Sequence, residues 1–311
     1  MSFMRAVGKG VWRSGAVAMA LVGSLSATAW AQDPAAPADP NPGNLTLTAT
    51  MDFSNAYVFR GIRQDDTKVI MWPAFDLGIA LYSGKGGLKS AGVNFGSWNS
   101  LHTGDAGLDS ATSKLGCACG KVWYESDFYA TLGLGFGGGV SLGTTYTAYT
   151  SPNAGFSNVK EIMFKLAVDD SATLKKAALH PYGIVALEVN TAPGVGQADG
   201  GSKAGRYLEL GVAPGWSASA VSLAFPVKVG ISLADYYEAP IGAKGALVDS
   251  RFGYFSVSGT VTAPIKPVPA GFGSWNVHAG VEVQALGDST KFFNNGDSKK
   301  VIVSGGIGLT Y

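Results

Sequence analysis

The chain has 311 residues with 23 basic and 22 acidic side chains, a formal net charge of +1 at pH 7. Charged residues are only 14 % of it, against roughly 25 % in soluble globular domains, and glycine, at 44 positions, has about twice its usual share. A nucleic-acid partner, which needs a concentrated basic surface, and a disulfide-rich scaffold, which needs more than two cysteines, are excluded.

At the N-terminus Arg5, Lys9 and Arg13 precede an apolar stretch from Ala16 to Ala27 and then Ala29-Trp30-Ala31. A basic head, a short apolar core and an A-x-A site form the pattern of a secretory signal peptide, so residues 1–31 are expected to be cleaved from an exported, slightly acidic protein. Residues 32–44, "QDPAAPADPNPGN", read as a Pro-rich extended linker. Beyond the signal no apolar run approaches 18 residues, which excludes transmembrane helices.

From Leu45 onward the sequence keeps period two, the signature of strands with two unlike faces. Leu45, Leu47, Ala49, Met51, Phe53, Tyr57 and Phe59 share one face; Thr46, Thr48, Thr50, Asp52 and Ser54 share the other. Val69, Met71, Phe75, Leu77, Ile79 and Leu81 then alternate with Lys68, Trp72, Ala74, Asp76 and Gly78. Such segments are predicted near 45–60, 67–82, 88–100, 121–136, 139–150, 158–169, 180–190, 204–216, 219–233, 248–262, 274–286 and 299–311. Most exceed the five or six residues of a typical globular strand and match the roughly 9–11 that a tilted strand needs to cross a bilayer. Short connections such as "SGKGG" and "GGG" alternate with longer ones, Leu101 to Gly120, Thr191 to Lys203, Ala234 to Ala246 and Gly287 to Asp297, as periplasmic turns alternate with extracellular loops.

The polar face decides which side is outside. It is built of Thr, Ser, Gly and Ala with scattered charges rather than the Lys and Glu of a water-exposed surface. This fits a confined lumen, with lipid against the apolar face. An unpaired backbone group costs several kcal/mol in hydrocarbon, so a spanning sheet must close. Residues 45–311 are therefore expected to form one closed antiparallel transmembrane β-barrel of about twelve strands in a bacterial outer membrane. Phe59, Phe136, Tyr149, Trp216, Trp275 and Tyr311 fall near strand ends, where aromatic girdles form.

Tyr57-Val58-Phe59-Arg60-Gly61-Ile62-Arg63-Gln64 resembles the Y-x-F-R-G-x-x-Q signature of Gcw_chp-type bacterial outer-membrane proteins, and Pro73, Ala74 and Asp76 resemble that family's second strand. The resemblance implies an outer-membrane barrel described as a porin; it covers about the first two strands. Read from the residues alone, Arg60 either charges a pore mouth or, the favoured reading, pairs with Asp52, Asp76 or a loop acid to brace the rim. Gly61 would allow a bend there. The close of the chain, with Ile307, Leu309 and the terminal Tyr311 in alternation, looks like the signal read by barrel-assembly machinery, which together with periplasmic chaperones would handle the chain during biogenesis.

Alternation turns Asp52, Lys68, Asp76, Glu125, Asp127, Glu161, Lys165, Glu188, Glu209, Lys228 and Glu282 inward with Arg60 near the mouth, an acidic excess that would favour cations. Trp72, Trp98, Trp123 and Tyr129 would narrow the bore. Passive diffusion of small polar solutes or ions is the leading expectation; a structural or adhesion barrel without an open pore is the alternative. A lipid-acting enzyme is the least favoured. His102 is expected in an outer loop, His180 at a periplasmic strand start and His278 facing inward, and no Ser is placed beside a His and an acid by spacing. Cys117 and Cys119 suggest a loop disulfide, their spacing being too short for a usual zinc site. "GLGFGGG" has no following helix and reads as a hairpin turn. No cofactor or metal site is expected.

Overall fold

The computed structural model describes residues 43–108, 121–189, 203–218 and 220–311; the expected signal peptide, most of the linker and the Cys117/Cys119 pair lie outside them. The wall strands are β1 (Leu45–Ser54), β4 (Ile70–Ser83), β5 (Leu88–His102), β6 (Trp123–Phe136), β7 (Val140–Thr150), β8 (Val159–Val168), β9 (Tyr182–Glu188), β10 (Arg206–Val212) with β11 (Gly215–Ser217), β12 (Ser222–Ala224) with β13 (Val227–Ala234), β16 (Phe252–Pro264), β17 (Ser274–Leu286) and β18 (Lys299–Thr310). Off the wall are the hairpin β2 (Tyr57–Phe59) and β3 (Ile62–Asp65), the pair β14 (Glu238–Ala239) and β15 (Val248–Asp249), and three short helices, α1 (Asp105–Leu108), α2 (Ser171–Leu174) and α3 (Asp288–Phe293).

Pro214 and Pro226 explain the two divided strands. Proline has no N–H for the ladder, so β10 gives way to β11 and β12 to β13 at these residues. Their carbonyls still accept, from Phe225 N–H and Ser258 N–H at 2.8 and 2.9 Å. With each divided pair taken as one strand, the chain is a closed antiparallel barrel of twelve strands.

Closure is made by β1, which pairs with β4 on one side and β18 on the other; Met51 stands opposite both Pro73 and Ile307. Leu47 and Tyr311 exchange both backbone bonds, at 2.7 and 2.8 Å. The faces sort as the alternation requires. Leu47, Phe75, Phe95, Phe128, Phe164, Val283 and Val303 are exposed on the outside, while Asp127, Thr145, Glu161 and Glu282 are buried inside. A soluble barrel has the opposite arrangement. An apolar belt around a polar interior suits hydrocarbon, and the closed ladder leaves no edge to be desolvated.

Four expectations need correction. The first strand does not run to residue 60: β1 ends at Ser54, and Tyr57 to Asp65 leave the wall as the β2–β3 hairpin. Arg60 and Gly61, with φ of 48° and 82°, form its two-residue turn, and positive φ at both positions matches the right-handed twist of a hairpin. Lys68 is exposed in a left-handed turn before β4 rather than lining the lumen. Trp123 faces out, with 43 % of its surface exposed. Here the β5–β6 register shifts at Ser100/Leu101, so the extra residue Tyr124 takes the inward place. Phe59 and Tyr149, expected in an outer girdle, pack edge-on inside at 5.7 Å.

Candidate functional site

The outer half of the lumen is filled by the β2–β3 hairpin. Six consecutive residues, Tyr57 to Ile62, are buried, which no wall strand with a lipid face could achieve. The fixed positions of the Y-x-F-R-G-x-x-Q stretch meet different parts of the wall and of the loops above it. Tyr57 packs against both Trp72 and Trp98, at ring separations of 5.7 and 5.2 Å. Val58 packs with Ala56 against Ile302 of β18. Phe59 meets Tyr149 of β7. Gln64 accepts from the Tyr124 hydroxyl at 2.7 Å. A Cβ at Gly61 would stand 3.1–3.2 Å from Tyr254 and Thr290, so glycine serves both the turn and the close approach to β16 and α3.

Arg60 is the hairpin's tip. Its Nη1 and Nη2 donate to the two carboxylate oxygens of Glu161 on β8, at 2.6 and 2.9 Å, the paired geometry that a guanidinium and a carboxylate share. Nη1 also donates to the Tyr236 hydroxyl at 3.1 Å. The guanidinium carbon is 4.3 Å from the Tyr207 ring centre and 4.8 Å from that of Phe59, within cation–π range. Outer loops clamp the turn's backbone: Tyr237 donates to Arg60 O and Asn294 to Gly61 O, both at 2.8 Å. Arg60 thus braces as the favoured reading held, but its partner is Glu161 on the far wall rather than Asp52, Asp76 or a loop acid.

A second joint ties β3 to β5. Trp72 Nε1 donates to Ser100 Oγ at 3.0 Å, Ser100 Oγ contacts His102 Nε2 at 2.7 Å, and His102 Nδ1 contacts Asp65 at 2.8 Å. With its lone pairs turned to the indole, the serine hydroxyl donates to Nε2, which leaves the Nδ1 proton for Asp65. Burial raises the Asp65 pKa, but hydrogen bonds from His102 and Thr67 outweigh it and hold the group down at about 2. His102 is therefore the last residue of β5 and faces the lumen, not an outer loop, and the acid–His–Ser arrangement that spacing did not reveal is made by the hairpin. Ser100 and His102 are fully buried, behind Tyr57, Trp72 and Tyr124, so the relay as it stands offers no room for an ester beside the hydroxyl.

The remaining inward charges are braced along the wall by side chains of the same or nearby strands. Glu209 accepts from the hydroxyls of Tyr182, Tyr207 and Tyr254 at 2.7–2.9 Å. Glu282 accepts from Ser256 and Gln284 and lies 3.5 Å from Lys228. Asp76 is held by Asn94 and Tyr129, and Glu188 takes the Gly205 N–H. The Lys165 ammonium stands 4.9 Å from the Tyr182 ring centre. Glu125 and Asp127 are buried on β6 below Tyr57.

On the last strand the lumen face is made of small residues, Ser304, Gly306 and Gly308. Asp52 and His278 bond to each other across the intervening strand β18, each being the register partner of Gly306. A Cβ at Gly306 would fall 2.2 Å from Asp52 Oδ1, so the glycine is the gap that lets the clasp form. At the periplasmic turn His180 lies 3.5 and 3.8 Å from Asp169 and Asp170, but Asp170 is already taken up by the Leu179 and His180 amides.

A closed sheet, a lipid-facing belt and a plugged polar bore define a transmembrane β-barrel of the outer-membrane type. No family model matches the chain, and no curated protein matches it. Solved structures do resemble it. An outer-membrane channel from Pseudomonas putida F1 is 13 % identical with a TM-score of 0.47, covering 89 % of this chain and 100 % of that one. The NanC porin is 11 % identical with a TM-score of 0.41, covering 85 % and 98 %. Outer membrane phospholipase A from Escherichia coli is 12 % identical with a TM-score of 0.40, covering 84 % and 92 %.

Proposed function

We propose that this chain is an outer-membrane barrel of the porin class held closed by its own first outer loop, passing ions and small polar solutes when the β2–β3 hairpin yields. The observation that carries this reading is the Arg60–Glu161 joint, which ties the hairpin from its root between β1 and β4 to β8 on the far side. A hairpin held by side chains alone can leave without breaking a wall hydrogen bond, whereas a barrel packed by its own wall residues has no such part to move. Export through a cleaved signal at residues 1–31, insertion through recognition of Ile307, Leu309 and Tyr311, and kinship with Gcw_chp-type proteins belong to the same proposal. The second reading, a structural or adhesion barrel with no open state, is favoured by the aromatic layers that fill the bore above Glu161.

Hairpin excision separates the two. Ser54 and Ile70 are register partners, and Asn55 and Val69 still bond Val303 and Thr103 of the wall, so a tight turn can replace residues 56–68 and leave the wall intact. In planar bilayers the wild type is expected to show rare, brief openings and the excised barrel a large steady conductance. A correctly folded excised barrel that stays silent supports the structural reading. A wild type already as conductive as the excised form refutes the hairpin as the constriction.

A further inference from the structure

Glu125 and Asp127 are two residues apart on β6 and so project to the same side, under the hairpin. They are 5 % and 0 % exposed. The Tyr57 hydroxyl bonds Glu125, and the two carboxyl groups lie within hydrogen-bonding reach of each other. Beyond the Thr150 backbone amide directed toward it and its contact with Glu125, no donor closes on either oxygen of Asp127, and no cationic side chain bonds it. The buried guanidinium is committed elsewhere, since Arg60 gives both terminal nitrogens to Glu161. Across the described residues the buried charged groups comprise eight carboxylates against one arginine and one lysine.

Two adjacent carboxylates in a water-poor site cannot both stay ionised without a counter-charge. A shared proton cancels one negative charge, while a divalent cation cancels two, and the surplus of buried acid is larger than one. Carboxylate oxygens are hard donors suited to calcium or magnesium. We propose that Glu125 and Asp127 form a binding site for a divalent cation, Ca²⁺ or Mg²⁺, between β6 and the hairpin. The bound ion sits beside Tyr57 and strengthens the hold of the plug on the wall, and the site stands whether or not the barrel conducts.

Trp98 is the register partner of Asp127 and is buried on the same lumen side, so it can sensitise Tb³⁺ bound there. The full-length protein is refolded into detergent micelles with EDTA, then titrated with TbCl₃, CaCl₂ or MgCl₂. Tb³⁺ emission on tryptophan excitation and the midpoint of the heat-induced gel-mobility shift are read. The wild type should give emission that Ca²⁺ competes away and a midpoint that rises with Ca²⁺ or Mg²⁺, as expected for a ligand of the folded state. Asp127→Asn and Glu125→Gln should each weaken Tb³⁺ by at least about tenfold, the scale on which coordination-shell losses act. Asp76→Asn and Asp169→Asn, outside the site, should not. Trp98→Phe should dim the emission, Trp72 remaining 5.7 Å from the Tyr57 ring, yet keep the Ca²⁺ effect on the midpoint, a check that leaves both carboxylates in place should their variants fail to fold. Emission unchanged in both carboxylate variants would overturn the assignment. So would a midpoint that follows pH alone and ignores every metal, which would mean that the pair shares a proton.

Discussion

Replacing Arg60 by Ala removes the tip of the plug and leaves Glu161 behind. Both side chains of the pair are under a tenth exposed, and stranding one partner of a buried pair costs about 3–5 kcal/mol. The cost falls on whichever state needs the pair. The hairpin's backbone joins the wall only through its two ends, so release of its side-chain contacts frees Glu161 to water while the backbone ladder of the wall persists. At about 1.4 kcal/mol per tenfold, the released fraction should rise by roughly two to three and a half orders of magnitude. Arg60→Lys keeps the charge but not the two parallel bonds, and should fall between. Single-channel recording in symmetrical KCl measures the open fraction, and the heat-induced mobility shift reports the wall. A folded Arg60→Ala barrel with wild-type open fraction would refute the gate. So would a penalty appearing wholly in barrel unfolding, because the hairpin would then be part of the fold and not a movable element.

Gly306→Ala should lower the mobility-shift midpoint, since its Cβ would fall 2.2 Å from Asp52 Oδ1 and 2.5 Å from Met51 O, an overpacking of about 1–3 kcal/mol; Gly133→Ala, with only Gly92 O at 3.9 Å, should be neutral. Asp65 titrates at about 2 instead of its ordinary 3.8, so its stabilisation of the hairpin is fully present above the ordinary value and is lost as pH falls through the lower one. The open fraction should therefore climb as pH drops from 3.8 toward 2, and Asp65→Asn should open more at neutral pH and lose that dependence in bilayer recordings. Deleting Tyr311 removes both backbone bonds to Leu47 at the seam and should reduce the heat-modifiable, membrane-inserted fraction on fractionation before it alters the conductance of barrels that do assemble.

What the alternation reports is the wall, because every wall residue faces either lipid or lumen. Val301, Val303 and Ile307 could thus be assigned from parity alone, and they are exposed. The interior follows other rules. Tyr57 to Ile62 continue the alternation of β1 in sequence, yet all six are buried, and their reason for leaving the wall, Glu161, lies a hundred residues away. The Arg-Gly step between Phe59 and Ile62 was a legible hairpin signal, masked by the regular pattern around it. Parity also placed Glu161, Glu209 and Glu282 inside correctly but could not tell lining from bracing. Side chains of the same or nearby strands engage most of them: tyrosines of β9, β10 and β16 take Glu209, and Ser256, Gln284 and Lys228 take Glu282, while Arg60 of the hairpin takes Glu161. Charges that would set ion preference in an open pore serve here as anchors for neighbouring side chains. Ser304, Gly306 and Gly308 carry the same lesson at the seam. The small face of the last strand is small because Asp52 must meet His278 across it, a constraint that exists only once the ends of the chain have closed on each other.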